Sequence, residues 1–568
     1  MKAADHVAEV LAAEGVTHAF EVAGGTIAHL LDALHTDGRV RLVSMRHEQA
    51  AAFAAEGAAR MTGVPGVALA TSGPGAINLL TGVASAYFDS TPAVFLCGQV
   101  TTGDLRGDRA VRQRGFQETD VAAMAAPVAK AAWRVADAAE LPDRLAGAFA
   151  LARGGRPGPV LLDLPMDLQG RDVPAPRPPA PTPPRAEPDP AAVERLLAAL
   201  AAARRPLILA GGGLRTAGAV AAFRRFAARA GAPTVHSLMG VDALPAGHPL
   251  RVGLIGTYGN RWANTAIARS DLLVVLGSRL DIRQTGADVA GFAAREIHHV
   301  DCDAAELNHR IAGCHAIEAD LAAFLAAAEG CAVDPSGDRT AWRSEIAALR
   351  ARWPDTAEQD GVPGIDPNAF MHALASASRE AAAYVVDVGQ HQMWAAQSLA
   401  PADGQRFLTS GGLGAMGFAL PAAVGAALAA DAPAVVVAGD GGFQLNLQEL
   451  QTLVETGAPV KMVVIDNGVH GMVRQFQATY FDGRFPSTDW GYSAPDFARV
   501  AGAFGIEATT VADPAGVRAA LRATFRDARR PHLLCVKVDA AANAYPKLAF
   551  GRPITEMEPL ATPIPLQR

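Results

Sequence analysis

Short apolar runs recur along the chain. They alternate with longer stretches in which apolar positions return every three or four residues. The clearest pair is 434–438 (AVVVA) and 459–465 (PVKMVVI), closed by Gly439-Asp440-Gly441 and by Asp466-Asn467. β-branched runs of this length read as buried parallel strands. Between them, 444–455 has helical spacing, with Leu445, Leu447, Leu450, Leu453 and Val454 apolar. The pattern predicts one strand–helix–strand unit, which puts Asp440 and Asn467 at the carboxyl ends of two parallel strands. Further strand-like runs occupy 40–45, 66–70, 93–97 and 160–164, then 206–210 and 272–276, then 384–388. Such alternation predicts an α/β protein of doubly wound parallel sheets with helices on both faces.

Composition divides the chain. Nine of the 20 residues of 171–190 are proline, which predicts an extended polyproline-like linker. A softer boundary, rich in Gly and Pro, lies at 334–366. The expected organisation is three domains, 1–170, 191–333 and 367–540, and a tail, 541–568; a chain of 568 residues has room for three to four at ~150 each. The net charge of −7 and the lack of a basic block argue against nucleic acid as a partner. No run of 18 apolar residues appears, so no membrane span is expected. The first residues lack a secretory apolar region, and a cytoplasmic location is expected. The five cysteines are scattered without a Cys-x-x-Cys pair, so neither a zinc site nor a disulfide framework is signalled.

Ligands of open α/β sheets bind beyond the carboxyl ends of the strands. A carboxylate and an amide oxygen converging there suit Mg²⁺, a hard cation that shares its ligands with phosphates. Gly439 and Gly441 let the backbone approach a diphosphate. Gly-Asp-Gly with an Asn 27 positions beyond the Asp resembles the signature of thiamine diphosphate enzymes. The resemblance implies Asp440, Asn467 and the carbonyl of Val469 as Mg²⁺ ligands. Asp466 stands where the family has a further Asn, and is expected only to shape the turn.

Other segments resemble the acetohydroxyacid synthases and their pyruvate-oxidase-like relatives: 45–50 (MRHEQA), 66–78 (GVALATSGPGAIN), 115–120 (GFQETD), 127–130 (PVAK), 387–397 (DVGQHQMWAAQ), 410–421 (SGGLGAMGFALP) and 471–477 (GMVRQFQ). By this resemblance Glu48 hydrogen-bonds the aminopyrimidine ring of thiamine diphosphate, near Pro74 and Asn78. Phe116, Gln117 and Lys130 line the substrate channel, the lysine steering a 2-oxo acid carboxylate. Gly389, Gln390 and His391 meet the diphosphate, with Gly414, Gly442, Gly471 and Met472 around it. Met416 holds the cofactor bent. Phe476 stands where synthases that prefer 2-oxobutyrate carry Trp, so the acceptor pocket differs. In the middle block, Gly212, Gly213, Leu238, Gly256, Gly259, Arg279, Asp281 and Asp301 fall in segments that bind FAD, without redox use, in the synthases. Asp281-Ile282-Arg283 replaces the family's Asp-Asp-Arg, and an ADP-binding or empty site stays open.

The implied activity is decarboxylation of a 2-oxo acid such as pyruvate and ligation to a second carbonyl compound. The implied assembly is a homodimer or homotetramer with Glu48 and Asp440 of one active site on different subunits; a regulatory subunit is not inferable. Two departures keep other readings open. Glu21 brings a carboxylate into a loop over the active site where the family has none. It either repels a second oxo-acid anion, serves as an acid or base, or is a salt-bridged loop residue. The tail at 545–554 does not match the usual synthase ending and is held as a specificity element. The alternatives are a plain 2-oxo acid decarboxylase, an aldehyde-acceptor carboligase, a C–C hydrolase of a dione, or a non-catalytic cofactor-binding relative.

Overall fold

The computed structural model describes all residues except 177, 179–183, 293–294 and 566–568. Most of the chain folds around three six-stranded sheets, every neighbouring pair in them parallel. The first holds β1 (His18–Val22), β2 (Arg41–Ser44), β3 (Gly66–Ala70), β4 (Ala93–Gln99), β5 (Ala131–Arg134) and β6 (Pro159–Pro165) in the order 2-1-3-4-6-5. The second holds β7 (Pro206–Ala210), β8 (Thr234–His236), β9 (Arg251–Leu254), β10 (Leu272–Leu276), β11 (Glu296–Asp301) and β12 (His315–Glu318) in the order 12-11-10-7-8-9. The third holds β13 (Ala383–Val386), β14 (Arg406–Thr409), β15 (Ala434–Gly439), β16 (Val460–Asp466), β17 (Glu507–Val511) and β18 (His532–Lys537) in the order 14-13-15-16-18-17.

The first and third sheets share one connectivity. The second has the order of a dinucleotide-binding sheet, reversing between β7 and β10. The apolar runs read from sequence are buried interior strands, except 40–45, which forms the largely exposed edge strand β2. The strands without such a run carry polar residues or are short, as in β11 (EIHHVD) and β8, three residues long.

The alanine-rich helix Glu48–Thr62 forms a seam between the first and third sheets. It packs on the Ala419–Ala430 helix, with Phe53 edge-on to Phe418 at 5.3 Å. A Cβ on Gly57 would lie 2.0 Å from the Ala422 carbonyl oxygen, and one on Gly425 1.8 Å from that of Ala54. Only small residues permit helices this close.

Two expectations need correction. The single helix expected over 444–455 is broken into Asp440–Gln444, a 3₁₀ turn at Leu447–Glu449 and Leu450–Thr456. The break falls at Asn446, whose amide donates to the Gly417 carbonyl at 2.8 Å and to Gln49 Oε1 at 3.4 Å. A side chain drawn across the seam thus outweighs local helical spacing. Glu21, expected in a loop, lies in β1. For the proline-rich linker, 173–176 and 184–189 lack regular structure, whereas 177 and 179–183 lie outside the described residues.

Candidate active site

The third sheet reverses direction between β13 and β15, which opens a crevice at their carboxyl ends. Asp440 begins the helix that follows β15 and is buried. Its Oδ1 accepts from the Gly441 N–H at 3.0 Å, whereas Oδ2 is buried with no hydrogen-bond partner. Burial, and then the negative charge of Asp466, push its pKa up to about 6. Asn467 follows β16. Its Nδ2 donates to Gln390 Oε1 at 3.0 Å, and its Oδ1 accepts from the Val469 N–H at 3.3 Å. Asp466 accepts from the Gly468 N–H at 3.2 Å and pairs with Lys537, so it shapes the turn.

His391 lies in the first turn of the Gln390–Ser398 helix after β13. It is buried, its Nε2 has no partner, and burial lowers its pKa to about 3, so the ring is neutral. Two unmatched polar atoms, an anionic oxygen and a ring nitrogen, therefore occur at one sheet edge, on residues flanking Gly389 and Gly439. Such atoms are costly unless a ligand meets them. The glycines make the approach possible: a Cβ on Gly439 would lie 2.8 Å from His391 Nδ1, and one on Gly471 1.9 Å from Gln390 Oε1. Met472 and Val469 are partly and fully buried beside them.

Asp387 is a residue that motif reading passed over. Its carboxylate accepts from the backbone N–H groups of Val388, Gly417 and Ala419 at 2.8–3.0 Å. It ties the end of β13 to the loop carrying Gly414 and half-buried Met416, and its Oδ1 is 2.8 Å from where a Gly442 Cβ would be. The signal was its place in the 387–391 motif, just before the strand-end glycine.

In the first sheet, Glu48 opens its helix and is buried. Asn78 Nδ2 donates to Glu48 Oε2 at 3.0 Å, from the helix that Pro74 begins. A Cβ on Gly75 would be 3.0 Å from Glu48 Oε1, so the glycine leaves the carboxylate room on that side. Gln117 lies against the Gly73 turn with a positive φ of 65°, and Phe116 beside it is 84% exposed. The structure thus brings Glu48, Pro74, Asn78 and Gln117 to one edge. Lys130 is elsewhere: it precedes β5, at the amino-terminal edge of the sheet, and donates to the Gly154 carbonyl.

Glu21 is buried, accepts from the Ser44 hydroxyl through Oε1, and has no partner for Oε2. Among the described residues it makes no ion pair, so the salt-bridged alternative falls away. It lies near the carboxyl end of β1, where the first sheet reverses.

The two edges communicate within one chain. Besides Asn446–Gln49, Glu449 Oε1 accepts from the Arg46 N–H at 3.0 Å. Burial raises the Glu449 pKa to about 7. Residues on either side of Glu48 are thus held by the segment that follows the Asp440 helix.

The central sheet reverses between β7 and β10, where Gly211–Gly213 meets Gly277: the Gly213 N–H donates to the Gly277 carbonyl at 3.0 Å. Beyond it lies a cavity of about 620 Å³, within the range of cofactor sites. Gly212, Gly213, Leu238, Arg279, Asp281 and Asp301 line it. Gly256 and Gly259 form the turn behind, joined by a 2.9 Å backbone hydrogen bond.

The tail runs from the crevice of the third sheet to the central domain. Gln475 Nε2 donates to the Ala544 carbonyl at 3.3 Å and its Oε1 accepts from Gln390 at 3.3 Å. Lys547–Leu548 then pairs antiparallel with Met557–Glu558, and the Leu548 N–H donates to the Thr257 carbonyl at 2.6 Å. Phe476, 42% exposed, contacts Tyr480 and Phe481 at ring separations of 4.8 and 5.8 Å. No helix among the described residues is long and apolar enough to cross a membrane.

Three family models match the chain: "Thiamine pyrophosphate enzyme, N-terminal TPP binding domain" over residues 1–124, the central domain over 193–328, and the C-terminal TPP binding domain over 387–536. The acetolactate synthase isozyme 2 large subunit of Escherichia coli K12 is 39% identical over 561 residues, covering 98% of this chain and 99% of that protein. The probable acetolactate synthase large subunit of Methanocaldococcus jannaschii is 35% identical (98% and 95% covered), and the chloroplastic acetolactate synthase 2 of Nicotiana tabacum is 36% identical (97% and 84%).

Proposed function

The chain belongs to the acetolactate synthase large-subunit family of thiamine pyrophosphate enzymes, and from that premise we propose that it decarboxylates pyruvate and ligates the remaining two-carbon unit to a second 2-oxo acid. The observation that carries the reading is the unmatched Asp440 Oδ2 and His391 Nε2 at one glycine-lined strand edge. That donor set fits a Mg²⁺-bound diphosphate. Asp440, Asn467 Oδ1 and the Val469 carbonyl would hold the ion; Gly389, Gln390, His391 and Gly471 would cradle the phosphates.

When bound, thiamine diphosphate supplies the nucleophilic carbon and the electron sink that cleavage next to a carbonyl requires. The protein contributes position and polarity. Glu48, oriented by Asn78, would hydrogen-bond a ring nitrogen of the cofactor's aminopyrimidine. Met416 would keep the cofactor's two rings together, and Asp387 fixes the Met416 segment by accepting from the Gly417 and Ala419 N–H groups. Phe476 forms an aromatic wall for the acceptor. We further propose a homodimer or homotetramer in which Glu48 of one subunit serves the Asp440 edge of another, with exposed Phe116 facing that junction; Lys130 would then reach the substrate path only through the assembly. The proposed domains are 1–170 for the pyrimidine, 191–333 for a flavin and 367–540 for the diphosphate. A cytoplasmic location goes with this reading.

Product analysis tests the activity. With pyruvate alone, acetolactate and CO₂ are expected in equal amounts; turnover of other oxo compounds without acetolactate overturns the assignment. Buried Glu21 favours one variant reading, an acceptor without a carboxylate, and an aldehyde panel run beside the oxo acids separates the two. Phe476→Trp is expected to shift the acceptor preference toward 2-oxobutyrate by roughly tenfold, because a reshaped apolar wall is worth about one to three kcal/mol. An unchanged product ratio removes Phe476 from the acceptor pocket.

For the central cavity we propose non-redox FAD. The nucleotide-type strand order and the Gly211–Gly213 turn support it. Purified protein is expected to show a flavin absorbance band, or to regain one with added FAD. Failure of both rejects the flavin.

A further inference from the structure

A second cavity, of about 290 Å³, lies away from both cofactor regions, between the β8–β9 edge of the central sheet, the Thr340–Arg352 helix and the carboxyl end of the Gln390–Ser398 helix. Its charged lining is entirely cationic. Arg251 comes from β9. Arg343 and Arg350 come from one face of the helix, seven residues apart, with Ile346 and Ala347 between them on the same stripe. His236, His248 and His372 complete the titratable lining, and no Asp or Glu takes part.

Arginines at a protein surface usually find carboxylates, and these three have not. Among the described residues none of them makes an ion pair. Arg251 spends one nitrogen on the carbonyls of Val241 and Leu244 at 2.5 and 2.7 Å. Arg350 stacks over Trp262 at 5.3 Å. Burial, and further the charge of Arg350, lower the Arg251 pKa to about 10, against an attraction from Asp242. The nearby carboxylates are committed elsewhere: Asp242 to Arg215 and Arg406 at 3.0 and 3.1 Å, Asp355 to His372 and Ser398 at 2.8 and 2.5 Å, and Asp338, close to Arg343, to the Thr340 N–H at 2.9 Å.

His236 adds a polar anchor of a different kind. It is 3% exposed; its Nδ1 contacts the Ser237 carbonyl at 3.2 Å, and its Nε2 has no partner. A ring that donates through Nδ1 to a carbonyl presents a bare acceptor at Nε2. The cavity therefore offers three guanidinium groups to an anion and one buried nitrogen to a hydroxyl. Planar guanidinium donors match the oxygens of phosphate in pairs.

We propose that this cavity is a binding site for a small phosphate monoester, with Arg251, Arg343 and Arg350 holding the phosphate and His236 accepting a hydroxyl of the ligand. The volume admits a small phosphorylated molecule and is far below the 620 Å³ of the central cavity. The site also has a route to the reaction centre. Gln397 and Ser398, at its wall, end the helix whose first turn holds Gln390 and His391.

The test uses holoenzyme saturated with thiamine diphosphate, Mg²⁺ and FAD, so that the other phosphate sites are filled. The probes are glycerol phosphate and inorganic phosphate, read by calorimetry and thermal shift against sodium chloride of equal ionic strength. Binding of glycerol phosphate to wild type, weakened at least tenfold in Arg343→Ala/Arg350→Ala, supports the site. Both arginines are exposed, so the variant is expected to fold, and an unchanged melting temperature without probe checks it. His236→Phe is expected to weaken glycerol phosphate more than inorganic phosphate. No binding to wild type, or equal binding to the arginine variant, overturns the proposal. This outcome is independent of the carboligase assignment, which is read from product formation.

Discussion

Glu48→Gln is expected to lower kcat by roughly a thousandfold, the scale of a lost general acid–base interaction, while the cofactor still binds. The substitution preserves shape. The side-chain oxygen of the introduced glutamine still accepts from Asn78, and the absence of a Cβ at Gly75 leaves room for either group. What is lost is a full negative charge in a buried position with no cationic partner among the described residues. An uncompensated carboxylate is a strong acceptor for a ring N–H, and a neutral amide is a weak one. The expected signature is a collapse in turnover with thiamine diphosphate affinity changed only a few-fold and an unchanged melting temperature. Unaltered turnover would sink the role of Glu48 in cofactor activation. A wild-type protein that binds the cofactor and turns over none of the oxo compounds would favour the non-catalytic reading.

The sequence displayed the parts of the fold that water forbids. β3, β7, β10, β15 and β16 are buried central strands, so burial left short, largely apolar runs there. β11 carries two histidines and a glutamate, and β1 a histidine and a glutamate; Ser44 meets Glu21 Oε1, Glu296 meets His298 Nε2 and the Ser278 carbonyl meets His299, partners that a run-based reading cannot anticipate. The break at Asn446 has the same origin, since its partners Gly417 and Gln49 are distant in sequence. At the candidate site, Asp440, Asn467, Glu48 and His391 were visible because strand ends and motif spacing mark them. Asp387 and Glu449 were not singled out, because their work is to hold backbone N–H groups of other segments. The cationic cavity was invisible for a similar reason: Arg251, Arg343 and Arg350 are scattered, ordinary arginines until a sheet edge and a helix face bring them together.

Asp440→Asn is expected to reverse the stability order between the cofactor-free and cofactor-bound protein. In the free protein the Asp440 carboxyl has a pKa of about 6 against an ordinary value of 3.8, which makes its ionised form cost about 3 kcal/mol. The sign follows from the raised pKa. Below pH 3.8 the group is protonated in both folded and unfolded chains and there is no cost; the cost grows as pH rises toward 6 and is complete above it. Free Asp440→Asn protein therefore melts at or above the temperature of free wild type at about pH 7.5, with the difference shrinking toward about pH 4. With thiamine diphosphate and Mg²⁺ the order inverts. The wild-type carboxylate meets a divalent cation, releases its proton and gains stability in proportion to the logarithm of ligand concentration over Kd. The variant offers a neutral oxygen instead, and its affinity for the Mg²⁺–cofactor pair is expected to fall by roughly a hundredfold or more. A purely structural carboxylate gives no such inversion. If Asp440→Asn protein is less stable when free and gains as much as wild type from the cofactor, then the unmatched oxygen at the end of β15 is not a metal ligand.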